Sequence, residues 1–270
     1  MLEVSELFIY PIKSLGGISI TSAKTTDRGF QYDRRWMLVD NNNRFLTQRE
    51  VPQMSLLQVQ VSDGGLIVQH KINKEERVYI PGSIEKPEIV AVQIWSDKCK
   101  AELVSPRLDE WFSDMLSLSC RLVYMPDSSK RGVDTRYATN KELTNLSDGY
   151  PFLIIGQASL DDLNARLLEP LPVNRFRPNI VFTGAKPFEE DLMEHFSINN
   201  IQFYGVKPSA RCIITTINQD NAVKSKEPLK TLAAYRQKNN NIYFGQNLLH
   251  KGEGEIRVGD IITIHQQKNA

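Results

Sequence analysis

The 270-residue sequence predicts a mainly β protein with flanking helices, an α+β fold. Short β-branched and apolar runs recur along it, and Gly, Pro and Asn turn signals separate them. Three stretches read as helices: Pro106–Leu116 and Ser159–Glu169 by an apolar face, and Pro228–Gln237 as a short one. This punctuation favours a β-meander or barrel over a parallel α/β sheet. The polar loop from Pro126 to Asp148 is long enough to mark a boundary. The expected division is a β-rich first domain over 1–122 and a second β domain over 123–270.

In chain order, Leu2–Ile12 reads as a strand ending in the turn Y-P-I-K-S-L-G-G, and Ile18–Ala23 resumes as a strand. Lys13 and Ser14 sit between Pro11 and the pair Gly16-Gly17, where an ammonium, a hydroxyl and free N–H groups could meet an anion. Taken alone, a solvated turn is the simpler reading. Asp33, Arg34 and Arg35 precede the apolar strand Trp36–Val39, a costly placement unless they are paired or face a cleft. Short strands follow at Leu56–Val61, Leu66–Gln69, Val78–Ile80 and Ile89–Ile94. The helix Pro106–Leu116 has Ser105 as N-cap, proline at its first position, and Leu108, Trp111, Phe112 and Met115 on one face.

Strands are expected at Cys120–Tyr124 and Phe152–Ile155. The helix Ser159–Glu169 begins at a near capping box of Ser159 and Asp162 and is stopped by Pro170. R-F-R-P-N-I-V-F then sets Arg175, Arg177 and Asn179 just ahead of a strand. Phe196–Lys207 holds one more strand before V-K-P-S-A-R-C-I-I-T-T-I-N. There Cys212 follows Arg211 and opens the β-branched run Ile213–Ile217, read as a strand. A neighbouring guanidinium favours the thiolate, the form that binds soft metals or attacks electrophiles. The ordinary alternative for a free cysteine is a small buried hydrophobe. A last strand closes the chain after Val258-Gly259-Asp260.

Composition narrows the function classes. With 41% apolar and 24% charged residues the chain reads as an ordinary globular protein. Its 33 basic and 32 acidic side chains leave a net charge of +1, which argues against nucleic acid as a partner. No apolar run approaches a membrane span and no signal peptide is evident, so a cytoplasmic location without membrane contact is expected. Cys99, Cys120 and Cys212 form no C-x-x-C pair, which argues against structural zinc, an iron–sulfur cluster or a disulfide framework. The four histidines are scattered and read as surface or packing residues, and no G-x-S-x-G motif supports a hydrolase.

Four loop–strand junctions therefore carry basic or amide side chains: Lys13-Ser14, Asp33-Arg34-Arg35, Arg175/Arg177/Asn179 and Arg211-Cys212. Converging on one cleft, they would hold a polyanion beside a thiolate. Y-P-I-K-S-L-G-G, D-R-R-W, T-Q-R-E, P-F-L-I-I-G-Q-A-S-L-D-D-L-N-A-R, R-F-R-P-N-I-V-F, A-R-C-I-I-T-T-I and F-G-Q-N resemble, in the same order, the MOSC family. The branch they resemble is that of the mitochondrial amidoxime-reducing components and their bacterial relatives. The likeness runs from about residue 3 to 265 and implies an N-terminal β-rich MOSC domain packed on a MOSC β-barrel.

It also implies a molybdenum–molybdopterin cofactor (Moco). Cys212 would be the molybdenum ligand and catalytic residue, and Lys13, Ser14, Arg34, Arg177, Asn179 and Arg211 would contact the pterin and its phosphate. The implied activity is an oxidoreductase that reduces N-hydroxylated small molecules such as amidoximes, hydroxylamines and N-hydroxylated bases. Electrons would come from a separate donor protein of the ferredoxin, flavin reductase or cytochrome type, because the cysteines of an attached iron–sulfur domain are not in this sequence. Pyridoxal phosphate binding is a further association of the family. The alternatives are a carrier of the cofactor or of sulfur, and a structural β protein. The sequence departs from many relatives at Ala210, where they have serine. It departs from animal members at Gly149-Tyr150, where they have Thr–Ser, and at Asn247, where they have tyrosine.

Overall fold

Seven strands close into a barrel, and the chain supplies them from both its ends. The computed structural model describes residues 1–138 and 140–268. The barrel strands are β1 (Leu2–Ile9), β2 (Phe152–Gly156), β3 (Ile180–Thr183), β4 (Met193–Ile198), β5 (Ile201–Ala210), β6 (Asn241–Lys251) and β7 (Ile261–Gln267). Their order around the wall is β2-β3-β1-β7-β4-β5-β6, and β6 pairs back onto β2 through Phe152↔Leu248 and Ile154↔Gln246. Closure leaves these strands no open edge. The β2–β3 pair is parallel, and helix α2 (Gln157–Asn164) lies in the crossover that such a pair needs. Val4, Phe152, Phe182, Phe196, Phe203 and Leu248 fill one core cluster, with Phe152 edge-on to Phe30 at 4.8 Å and to Phe203 at 5.4 Å.

The first half adds two antiparallel sheets: a meander Leu57–Ser62, Gly65–His70, Arg77–Pro81, and a four-stranded sheet ordered Trp36–Val39, Arg121–Tyr124, Asp97–Leu103, Ile89–Ile94. Helix α1 (Pro106–Leu116), with Pro106 in its first turn, buries Leu108, Phe112 and Leu116 against them. The protein is thus mainly β with flanking helices, as expected. Its sheets cross the 122/123 division, because β1 pairs with β3 and β7 and Ser22–Thr26 pairs with Gly254–Arg257.

Several elements differ from the sequence expectation. Phe196–Lys207 is not one strand but parts of the β4–β5 hairpin, which turns at Asn199-Asn200 with Asn199 in the left-handed region (φ 53°). The strand Asp97–Leu103 was not expected; its buried Cys99 and Ala101 alternate with exposed lysines, the pattern of a half-buried strand. Helix α2 starts after Gly156, so Ser159 lies inside it, and it ends at Asn164, well before Pro170. The Ser159 hydroxyl donates to Glu190 Oε2 at 2.7 Å and accepts from the Phe188 N–H at 2.7 Å, which removes it from any capping role. Ser105 likewise makes no side-chain cap bond.

Ile213–Ile217 is not a strand; Ile213–Thr216 is a 3₁₀ turn. The Thr215 and Thr216 hydroxyls donate back to the carbonyls of Cys212 (3.0 Å) and Ile213 (2.8 Å), a local alternative to sheet pairing that β-branched propensity does not reveal. Cys99 and Cys120 are buried, and burial pushes the Cys120 thiol up to about 11. Both act as small hydrophobes. Thr139, within the long loop, lies outside the described residues.

Candidate active site

A pillar of stacked groups stands under the site. The buried Tyr10 ring has the Arg34 guanidinium carbon 4.4 Å from its centroid and that of Arg177 at 4.2 Å. Asp33, fully buried, anchors it: Oδ1 accepts from the Tyr10 N–H at 2.8 Å and Oδ2 from Arg34 Nη1 at 2.6 Å. Asn179 ties the backbone of two strands to this pair. Its Oδ1 accepts from Arg34 Nη1 (3.2 Å) and the Leu153 N–H (3.2 Å), while Nδ2 donates to the Phe8 carbonyl (3.3 Å). Three residues here, Ser14, Arg34 and Arg177, take left-handed backbone at φ 66°, 47° and 56°. Such conformations cost about 1–3 kcal/mol each in non-glycine residues and gather at functional sites.

Above the pillar opens a cavity of about 310 Å³. Lys13, Ser14, Arg34, Arg177, Asn179, Arg211 and Cys212 all line it, so the structure brings together all seven residues singled out in the sequence. Gly149, Tyr150, Ala210 and Asn247, the positions of departure, line it too. Three expected neighbours do not: Asp33 sits in the pillar below, and Arg35 and Arg175 turn elsewhere. Arg35 turns to the Met125 carbonyl and the Asp127 carboxylate (2.8 Å). Arg175, two residues before Arg177, is buried and donates from Nε to the Thr215 carbonyl (3.0 Å) and from Nη2 to that of Thr216 (3.3 Å), bracing the turn that follows Cys212.

The lining is strongly basic. Lys13, Arg34, Arg49, Arg177, Lys207 and Arg211 face one carboxylate, Asp148. Asp148 and Arg49 were not singled out in the sequence; Arg49 sat inside T-Q-R-E and Asp148 at the end of a polar loop. That loop end is held by buried Arg131, which donates to the carbonyls of Asn145 (2.8 Å) and Ser147 (2.7 Å) and to Asp97 Oδ2 (2.7 Å). Asp148 then meets Lys13 Nζ at 2.6 Å and Arg49 Nη2 at 3.3 Å. The cleft walls partly desolvate this carboxylate, whose side chain is still 56% exposed, but Lys13, Arg49 and Arg34 together hold it well below the usual carboxylate range. Burial likewise opposes the Arg49 charge, and Asp148 and the Cys212 sulfur more than offset it, so the Arg49 pKa is raised.

Burial pushes Arg177 and Arg211 each down to about 10, leaving both charged at neutral pH. Arg211 spends Nη1 on Ser209 Oγ (2.9 Å) and Nη2 on the Phe176 carbonyl (2.5 Å), while its buried Nε has no partner in the protein. Cys212 is half-buried at the mouth of the 3₁₀ turn, with Arg211 between it and the end of β5. A soft thiol, a ring of cations and an unused guanidinium N–H suit an anionic ligand that carries a soft metal.

Lys13 gives this lining a pH dependence. Burial pushes its ammonium down to about 8, against the support of Asp148. In the unfolded chain a lysine titrates near about 10.4. Between these values the folded state binds fewer protons, so this group's contribution to stability rises with pH there, while the cleft loses one positive charge. Anion affinity in the cleft should therefore fall as pH rises through about 8. Lys13→Arg should remove that fall, measured by phosphate titration calorimetry at pH 7 and pH 9. An unchanged pH profile in the variant would assign the fall to another group.

The same residues fall within matches to known proteins. Residues 1–119 match the MOSC N-terminal beta barrel domain and residues 142–263 the MOSC domain. Mitochondrial amidoxime-reducing component 1 of Mus musculus is 32% identical over 283 residues, covering 97% of this chain and 82% of that protein. Mitochondrial amidoxime reducing component 2 of Bos taurus is 31% identical over 283 residues, covering 95% and 81%. Molybdenum cofactor sulfurase of Oryza sativa subsp. japonica is 30% identical over 295 residues, covering 98% of this chain and 35% of the sulfurase, so the chain spans about a third of that protein. Among solved structures, YiiM from Geobacillus stearothermophilus aligns over 43% of this chain and 55% of that chain, with a TM-score of 0.33 at 13% identity, too slight a likeness to argue from.

Proposed function

The chain belongs to the MOSC family, in the branch of the mitochondrial amidoxime-reducing components, and from that premise we propose that it is a molybdenum-cofactor oxidoreductase reducing N-hydroxylated compounds. One observation carries the proposal: residues from both halves of the sequence converge on a single basic cleft around Cys212. The residues suit the group. Arg211 offers a buried, unpartnered Nε–H, and the cleft's six cations against one carboxylate call for a multiply anionic ligand.

In this reading Cys212 supplies the protein's sulfur ligand to molybdenum. Arg177 and Arg211 take the phosphate and pterin edge, with Lys13, Ser14 and Arg34 alongside. Asn179, whose Oδ1 accepts from Arg34 and the Leu153 N–H and whose Nδ2 donates to the Phe8 carbonyl, fixes Arg34 in place and keeps a second Nδ2–H for the cofactor. When bound, the cofactor supplies the two-electron reduction that cleaves an N–O bond. The protein's own work is placement and field. Asp33 and Asn179 orient Arg34, Arg175 holds the turn behind Cys212, and Lys13 keeps at Nζ a proton that leaves near pH 8. The small-molecule substrate would be an amidoxime, hydroxylamine or N-hydroxylated base, and the electrons would come from a separate ferredoxin-, flavin reductase- or cytochrome-type donor. Among the described residues no helix is long and apolar enough to cross a membrane.

The likeness to cofactor sulfurases favours a second reading, a carrier of cofactor or sulfur on Cys212. The discriminating measurement uses the purified, cofactor-loaded protein. Reduction of benzamidoxime with an artificial electron donor is expected. No turnover, with transfer of cofactor to an apo-enzyme instead, would replace the reductase by the carrier.

A further inference from the structure

A second cavity of about 170 Å³ shares Arg177 with the cleft and none of the cleft's other lining residues. Tyr10, Gln58, Lys71, Asn174 and Gln219 are among its walls. Three of its wall residues each carry a polar atom that is buried without a partner in the protein: the Tyr10 hydroxyl, Arg177 Nη2 and Asn174 Oδ1. Tyr10 is 1% exposed, so its phenol has no bulk water to satisfy it. Buried polar atoms are usually paired, and three orphans carried by the residues of one wall favour a polar occupant.

The chemistry of the wall selects that occupant. Arg177 and Lys71 bring two cations, and among the described residues no carboxylate lines the cavity. Asp220 meets Lys71 Nζ at 3.4 Å, but its side chain is 81% exposed and outside the wall. Lys71 Nζ spends one short bond on the Gln219 carbonyl (2.6 Å), and an ammonium has three donors. Burial pushes the Tyr10 phenol well above its ordinary value, so it remains an O–H donor. Burial also lowers Arg177 and Lys71, the mark of cations lacking full compensation. The Asn174 amide, turned end for end, presents its NH₂ instead of its oxygen.

These donors are held still. Arg177 stacks 4.2 Å from the Tyr10 centroid, the Tyr10 N–H is fixed by Asp33, and Gln58 Nε2 is tied to the Gly17 carbonyl at 2.7 Å. Gly17 lies so close to the Tyr10 ring that a Cβ there would sit 2.4 Å from Cε1, so the phenol has no room to swing that way. The volume is several times the ~30 Å³ share of one water. We infer that this cavity is a binding site for a small inorganic oxyanion of the phosphate or sulfate class, separate from the cofactor cleft. A tetrahedral anion offers several acceptors at once, which suits a wall whose donors are carried by Tyr10, Arg177 and Lys71.

The test titrates inorganic phosphate and sulfate into the purified full chain at constant ionic strength, by calorimetry and thermal unfolding. Wild type and Lys13→Met, which alters only the cleft, should both keep the site. Tyr10→Phe and Lys71→Met should each weaken it by about tenfold or more, the effect of one hydrogen bond to a charged ligand. Tyr10→Phe removes no hydrogen bond that the protein makes for itself, so its unfolding temperature without anion should match wild type, which separates a lost ligand from a lost fold. Crystals soaked in selenate should show anomalous density between Tyr10 and Lys71. Phosphate binding that survives both variants yet vanishes in Lys13→Met would overturn the inference. So would a cavity holding only water at high phosphate, or loss of the site on loading the cofactor.

Discussion

Cys212→Ser is expected to fold as the wild type does and to retain no molybdenum. The substitution exchanges one atom on a half-buried side chain. The contacts that set the local backbone run through the Cys212 carbonyl, which accepts from the Thr215 N–H at 3.1 Å and its hydroxyl at 3.0 Å; serine leaves both in place. What changes is the ligand. A hydroxyl does not ionise near neutral pH and lacks the polarizable lone pairs that a thiolate offers to a soft metal. Metal analysis of protein purified from a cofactor-competent host should show molybdenum in wild type and background in the variant. Benzamidoxime turnover should fall to background with it, at unchanged melting temperature. A variant that keeps both its molybdenum and its turnover would remove Cys212 from the centre of the proposal.

The second large effect is on stability. Asp33→Ala should cost about 3–5 kcal/mol, because it leaves the Arg34 guanidinium, 13% exposed, without its buried counter-charge. It also strands the Tyr10 N–H that Oδ1 accepts. For a chain of this size the melting temperature should drop by roughly 10 °C. The double variant Asp33→Ala/Arg34→Leu removes both charges and should recover part of the loss, since most of the damage in the single variant comes from the abandoned cation. Losses that simply add in the double variant would mean that the ion pair carries no coupling and that Asp33 acts through the Tyr10 amide alone.

The candidate site was legible where cost could be read locally. Basic and amide side chains gathered at loop–strand junctions suggest a cleft, and that argument reached Lys13, Arg34, Arg177, Asn179 and Arg211. It did not reach Arg49 or Asp148. Neither precedes an apolar run, and Asp148 owes its position to Arg131, a buried guanidinium gripping the end of a polar loop. Nor did it separate Arg175 from Arg177. The two are the same residue type two positions apart, and only the left-handed backbone at Arg177 (φ 56°) and the carbonyls of Thr215 and Thr216 sort one into the cleft and the other into the wall. Tyr10, read only as part of a turn motif, proved to be the surface on which two of the predicted arginines rest.

Elements followed the same division. Trp36–Val39, Ile89–Ile94 and Pro106–Leu116 have the bounds read from the sequence, because alternation, turn residues and an apolar helix face are properties of neighbours in the chain. Ile213–Ile217 misled for the complementary reason: β-branching records fitness for a pleated surface, and whether a partner strand exists is not written in the run itself. By itself, then, the sequence determined the kinds of elements, the family they compose and the chemistry carried to each junction. The tertiary structure alone decided that β1 leaves the first half to help close the barrel, which loop carbonyls each arginine meets, and which charges face one another across the cleft. Those outcomes rest on contacts between residues a hundred or more positions apart, such as Lys13 with Asp148 and Arg34 with Asn179, where no local preference has any reach.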